Sequence, residues 1–196
     1  NFPVDPISKV QVIKKNQSEI DFLKSKVFSA SSVNTYVECP LKFYYRYVLG
    51  LEEKEDLLDD MEARDIGNFV HSFLENFYKP FLNKKPLVDR NFTESFFLEF
   101  DLRFEKELAR KMKSDSFLLK NIMKYKFEKF LVNEKKRNVK TLLGLETKFE
   151  EDIQLEALKV RFQARIDRID RLADDSIMVI DYKTGEAKSE GSVDKD

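Results

Sequence analysis

Near its C-terminal end the chain runs Ile177-Met178-Val179-Ile180-Asp181-Tyr182-Lys183-Thr184-Gly185, an apolar stretch that closes on a carboxylate and an amine two positions apart. On a strand, positions two apart share a face, so Asp181 and Lys183 point the same way. Upstream, the strand-like run Val160-Arg161-Phe162-Gln163-Ala164-Arg165-Ile166 ends on Asp167, a second carboxylate that a hairpin would set beside the first. A phosphodiester resists hydrolysis because the phosphate is anionic. A hard divalent cation neutralises that charge, lowers the pKa of water and stabilises the leaving oxygen. Magnesium takes oxygen ligands and keeps several waters, so one or two carboxylates suffice to hold it. Asp167 and Asp181 have the right chemistry, and the backbone carbonyl of Tyr182 adds an oxygen from the same strand. Lys183 could orient or deprotonate an attacking water, or stabilise developing charge. The pattern points to a metal-dependent hydrolase.

Plainer readings stand beside this one. Asp-x-Lys at a strand end is also a common surface ion pair, which contributes little to stability. Asp167, Arg168, Asp170 and Arg171 could form an exposed charge ladder. A lone helical histidine such as His71, the chain's only histidine, is more often packed or solvated than a ligand. Cys39 reads most simply as a small buried hydrophobe.

The elements that must position these residues follow from periodicity. Residues 1–28 carry two prolines and a mixed Val/Ile/Lys pattern, and form either an arm or an edge segment. Ser29 to Ser32 offer hydroxyl caps for a helix containing Val33, Tyr36 and Val37; Pro40 then opens a second short helix bearing Phe43, Tyr44, Tyr45 and Tyr47, stopped near Gly50. Residues 52–65 hold eight acids against two bases and few large apolar residues, which predicts an exposed loop. Gly67 is expected to open an amphipathic helix with Val70, Phe73, Leu74, Phe77 and Tyr78 on its apolar face, and His71 one turn before Glu75. Phe92, Phe96, Phe100 and Phe104 recur every four residues, and Leu119, Met123, Phe127 and Phe130 form a similar stripe; both predict core-facing helices. The period then changes to two over 142–150, 155–172 and 177–183, the last two runs joined by the turn Ala173-Asp174-Asp175-Ser176.

This arrangement predicts an α+β, or mixed α/β, fold in which a helical layer packs on a small, largely antiparallel central sheet. With 196 residues, 42% of them hydrophobic, the chain can build one substantial core. The helical part spans 29–140, the catalytic sheet 141–185, and a polar tail 186–196. Net charge is −1, so any nucleic-acid affinity must come from local patches such as residues 101–140, which carry 13 Lys/Arg against 6 Asp/Glu. A solvated helix face explains most of that excess, and a groove for a phosphate backbone is the other reading. The single cysteine rules out an intrachain disulfide and favours a reducing, cytoplasmic compartment. No run approaches the roughly 18 apolar residues of a membrane span, so no membrane partner is expected. The chain starts at Asn1 without a methionine and ends soon after the key strand, as a C-terminally truncated fragment of a longer protein would.

Four ordered segments resemble one family. The run Ser29-Ala30-Ser31-Ser32-Val33-Asn34-Thr35-Tyr36-Val37-Glu38-Cys39-Pro40-Leu41-Lys42-Phe43-Tyr44-Tyr45-Arg46-Tyr47 is followed by Gly67-Asn68-Phe69-Val70-His71. Ala164-Arg165-Ile166-Asp167-Arg168-Ile169-Asp170 and Ile180-Asp181-Tyr182-Lys183-Thr184-Gly185 complete the set. In this order they resemble the RecB-like branch of the PD-(D/E)XK nuclease superfamily, close to AddB-type nuclease domains. The resemblance implies a restriction-endonuclease-like core over 29–196 and Mg²⁺ or Mn²⁺ as cofactor. It assigns His71 to the metal-ligating helix histidine, Asp167 to the aspartate of the Gly-x-x-Asp motif, Asp181 to the metal aspartate and Lys183 to the catalytic lysine. Glu146, where related nucleases often carry an acid on the first core strand, and Glu75 receive supporting roles.

Two departures bear on function. Ala164 replaces the family's usual glycine, and the downstream Gln-x-x-x-Tyr helix is absent because the chain ends first. Two functions of different classes follow. One is a metal-dependent deoxyribonuclease, exonuclease rather than sequence-specific endonuclease, in a helicase-linked repair or recombination machine. The other is a weak or inactive nuclease-fold module that binds DNA or scaffolds a helicase partner. Cys39 matches the first of four cysteines that hold an iron–sulfur cluster in some relatives, and the other three are missing here. The expected outcome of an iron assay on this chain is therefore no cluster; stoichiometric iron would overturn that expectation.

Overall fold

The computed structural model describes residues 14–51, 57–112, 115–155 and 158–184, with the side chains of 57–62 and 158 left undescribed. The first thirteen residues, the heart of the acidic stretch at 52–56 and the polar tail from Gly185 lie outside the described residues. The protein is mixed α/β and divides into two compact units, one formed by 1–53 with 149–164 and the other by 54–148 with 165–196. No described helix is long and apolar enough to cross a membrane.

In the first unit, α1 (Gln17–Ser25) starts with a capping box in which Asn16 and Glu19 satisfy each other's backbone amides. The three-residue strand β1 (Val27–Ser29) follows, then α2 (Ala30–Glu38), capped by Ser29 and Ser32 as their hydroxyls suggest. Cys39 is neither a core residue nor idle. It ends α2 and caps α3 (Pro40–Phe43), its Sγ accepting the amide of Lys42 at 3.4 Å while Pro40 occupies the first helical position. The helix continues as a wider π-turn over Tyr44–Val48, and Gly50, at φ +67°, reverses the chain. Phe43 is buried among Phe28, Tyr36 and Tyr47. β1 pairs in parallel with the first part of β3 (Leu158–Leu172), with Phe28 opposite Phe162. The chain before Ser29 thus supplies an edge strand.

The second unit is built around phenylalanine. α4 (Leu57–Tyr78), α5 (Arg90–Arg103) and α6 (Ser116–Lys136) bury Phe73, Phe77, Phe96, Phe100 and Phe127 against one another, with ring centroids 4.8–6.1 Å apart and mostly edge-to-face. The stripe at every fourth residue would drift round a 3.6-residue helix. α5 absorbs the drift by widening into a π-turn at Phe104–Leu108, so that Phe104 and Leu108 remain buried.

α4 corrects one expectation, since it begins at Leu57 and not at Gly67, and so converts the end of the expected acidic loop into helix. The physical reason is that Leu, Met, Glu, Ala and Arg are good helix formers, and a helix anchored downstream by Phe69, Phe73 and Phe77 propagates at little cost. A surplus of acids was poor evidence for a loop.

The strands are β2 (Val139–Leu155), β3 and β4 (Ile177–Ile180), with β3 paired to β2 and, antiparallel, to β4. The β3–β4 turn falls where expected: the amide of Leu172 donates to the carbonyl of Ser176, and Asp175 adopts φ +64°. β4 is shorter than the expected 177–183, so Asp181 and Lys183 lie just beyond it and not on the strand.

The fully buried Phe96 offers the plainest test of this core. Phe96→Ala is expected to cost about 3–5 kcal/mol in chemical denaturation, whereas the exposed Leu98→Ala should stay within about 0.5 kcal/mol.

Candidate metal centre

Three elements of the second unit converge on one point. The last β3–β4 pair is Arg168 opposite Ile180, which leaves Asp167 and Asp181 as the next residues at the open end of the hairpin. The amide of Tyr182 donates to Asp167 Oδ2 at 2.6 Å, so the chain leaving β4 fixes one oxygen of this carboxylate. The other oxygen, Oδ1, lies 3.4 Å from His71 Nδ1 on α4. From β2, Glu146 brings Oε1 to 3.6 Å from the same nitrogen, and its second oxygen is paired with Arg165 at 2.5 Å.

Each carboxylate therefore has one oxygen satisfied by a fixed donor and one turned toward the histidine. His71, Glu146 and Asp167 each offer a ligand atom, all within 4.8 Å of one another. Both acid side chains are nearly buried, at 9% and 8% exposure, and the imidazole is one-third exposed. Two converging carboxylates out of bulk water repel strongly, and a cation between them removes that cost. One nitrogen and two oxygens at this separation suit a small divalent cation. The imidazole edge meets the Tyr182 ring, whose centroid is 6.2 Å away, which restrains the orientation of His71.

Glu146 reaches the cluster through an unusual backbone. It adopts φ +45° within β2, a left-handed conformation that costs a residue with a side chain about 1–2 kcal/mol. Two residues earlier, a Cβ at Gly144 would lie 2.5 Å from Thr147 Oγ1. A side chain at Gly144 would have to displace the Thr147 hydroxyl, so the close approach at the kink favours glycine there. A lone glycine inside an otherwise regular strand pattern is the signal that could have moved Glu146 from a supporting to a central place.

The remaining expected residues sit elsewhere. Asp181 and Lys183 pair with each other at 2.8 Å and are largely exposed, at 56% and 71%. Among the described residues, neither Asp181 nor Glu75 belongs to the group that could share one ion. Tyr182 is half-buried with its hydroxyl turned inside, and burial, ahead of the opposing pull of Arg168, pushes its phenol up to about 12. Within 101–140, Lys120 and Lys124 meet Asp101, Arg103 meets Glu107 and Arg137 meets Glu134, acids already counted in that stretch, while Lys140 meets Asp175 outside it, so these pairs leave most of the positive excess standing.

If the kink is built on the Gly144–Thr147 contact, Gly144→Ala should destabilise the protein by about 1–3 kcal/mol. Adding Thr147→Ala should recover most of that loss, a coupling that a double-mutant cycle in urea measures directly.

Known proteins resemble this chain in sequence. The profile of the PD-(D/E)XK nuclease superfamily matches residues 27–196. An ATP-dependent helicase/deoxyribonuclease subunit from Ruminiclostridium cellulolyticum is 28% identical over 193 residues, covering 83% of this chain and 16% of that protein. A protein of the same name from Carboxydothermus hydrogenoformans is 37% identical over 67 residues, 34% of this chain and 6% of that protein. An uncharacterized protein of Rickettsia felis is 26% identical over 163 residues, 81% of this chain and 19% of the relative. The chain thus spans less than a fifth of the length of these relatives. The family match takes in β1, all three helices of the phenylalanine core and the hairpin that presents Asp167, and on that ground the chain belongs to the PD-(D/E)XK nuclease superfamily.

Proposed function

We propose that this chain is the nuclease module of a longer, helicase-linked protein or complex and that it hydrolyses DNA phosphodiester bonds with a divalent metal ion, Mg²⁺ or Mn²⁺. The observation that carries this reading is the convergence of His71, Glu146 and Asp167 around one point, with the spare oxygen of each carboxylate turned inward. The names of the relatives support a DNA substrate and a helicase partner. A single cysteine and the DNA substrate favour action in the cytoplasm.

A bound divalent cation would supply charge neutralisation at the phosphate and a more acidic water. The chain's own residues do the rest. His71 Nδ1, Glu146 Oε1 and Asp167 Oδ1 would hold the cation; Asp181, once turned from Lys183, and the Tyr182 carbonyl would add oxygens from the segment after β4, and the Tyr182 amide keeps Asp167 from turning away. Lys183, presented by its pairing with Asp181, would orient the attacking water and stabilise the charge that develops at the phosphate. Domain limits of 29–196, with helices over 29–140 and a catalytic sheet over 141–185, fit this division of labour.

One observation favours a weaker catalyst that serves mainly to bind DNA or a helicase: Asp181 and Lys183 occupy each other in place of facing the cluster. Digestion of end-labelled DNA by the intact protein distinguishes the two. The expected result is Mg²⁺- or Mn²⁺-dependent cleavage that chelation abolishes and that Lys183→Ala lowers by about a hundredfold or more while the fold persists. Release of the label as mononucleotides identifies an exonuclease, and internal fragments an endonuclease. Absent cleavage by the intact protein would leave the binding module as the function, and cleavage that persists without metal would overturn the metal-dependent reading.

A further inference from the structure

On the face of β3 opposite Asp167 lies a charge cluster that the cleavage reading does not use. Arg168, the residue after Asp167, is fully buried. Its Nε donates to Asp170 Oδ1 at 2.8 Å, its second terminal nitrogen lies 2.7 Å from Asp170 Oδ2, and its Nη1 donates to Glu134 Oε2 at 2.7 Å. The guanidinium lies over the ring of Tyr78, 4.3 Å from its centroid, and the Tyr78 hydroxyl donates to the same Glu134 oxygen at 3.1 Å. Glu134 and Asp170 are as buried as Arg168, and Arg137 closes the outer side of Glu134.

The connections of this cluster matter more than its charges. Tyr78 stands seven residues after His71 on α4, two turns along the same face. Asp167 is bonded directly to Arg168 in sequence. Tyr182, whose amide holds Asp167, has its buried phenol within electrostatic reach of Arg168. Burial pushes the phenol of Tyr78 well up, with Glu134 adding to it, so this hydroxyl remains a donor. Burial disfavours the charge on Arg168, but its hydrogen bond to Asp170, together with the electrostatic pull of Tyr182, Glu134 and Tyr78, outweighs that and holds the guanidinium protonated.

A buried ion cluster is a poor way to stabilise a core, because apolar residues of similar volume do as well or better. Its distinctive property is directional: a planar guanidinium donates to its carboxylates in one geometry only. We infer that Arg168, clasped by Glu134, Asp170 and Tyr78, is a positioning residue that sets the spacing between α4 and β3 and thereby the distance between His71 and Asp167. This inference rests on the metal-centre reading above. Loss of the fork would let the two ligands drift apart without unfolding the protein.

The test is Mn²⁺ binding by calorimetry in the intact protein, taking as the signal the binding lost in His71→Ala. Two variants are compared with the parent. Arg168→Lys keeps the charge and removes the fork. The combined Tyr78→Phe, Glu134→Leu, Arg168→Met and Asp170→Leu replaces the cluster with apolar side chains and is expected to unfold cooperatively at or above the parent's temperature. In both, Mn²⁺ affinity is expected to fall about tenfold or more. Parental affinity in either folded variant would overturn the inference and reduce the cluster to a structural role. If the combined variant does not fold, Arg168→Lys decides alone. Absence of His71-dependent Mn²⁺ binding in the parent would overturn the metal-centre reading, and this inference with it.

Discussion

Two nearly buried carboxylates, from strands adjacent in the sheet, approach one histidine nitrogen, and most of the surrounding structure can be understood as what such an approach requires. Bringing like charges together in a partly dry site is unfavourable unless each is otherwise tied. Asp167 is tied by the Tyr182 amide and Glu146 by Arg165, so one oxygen of each is committed and the direction of the other is set. The left-handed backbone at Glu146 is part of the same arrangement, since strain of this kind persists only where the surroundings determine the conformation.

The phenylalanine core of the second unit serves this site by fixing α4. Phe69, Phe73 and Phe77 anchor the helix face that also carries His71's neighbours, and α5 and α6 close over them. Rings that meet edge to face resist sliding more than aliphatic side chains do, because the edge and face charges of adjacent rings must stay matched. The buried cluster around Arg168 adds a polar contact of defined direction to an otherwise apolar interface among α4, α6 and β3. Its three carboxylate contacts explain how two acids and an arginine coexist with almost no exposure.

The exposed pair Asp181–Lys183 has a different character. Both side chains are mostly in water, where their mutual attraction is screened and contributes little to the fold. A pair of this kind can open at low cost. The nearly buried Glu146 and Asp167, with His71, are held by their neighbours, whereas the exposed pair is free to rearrange.

Local signals in the sequence were sufficient for much of this. The caps at Ser29 and Pro40, the apolar stripes of α4, α5 and α6, the β3–β4 turn, and Asp167, Asp181 and Lys183 as candidates can be read from neighbours a few positions apart, because helix and strand periods are local properties of the chain, whereas His71 is singled out as a ligand only by the resemblance of ordered motifs. The start of α4 was not legible, since acids outnumber the large apolar residues over 57–65 and so suggest a solvated loop. Tertiary structure alone decided that Glu146 joins His71 and Asp167, through a kink made possible by Gly144, and that Asp181 and Lys183 fall just beyond the strand. It alone placed Glu134 against Arg168, 34 residues away in sequence, turning what reads as an exposed charge ladder into a buried brace. Periodicity says which face a residue occupies; what meets that face depends on the packing of distant segments, and no local pattern carries that information.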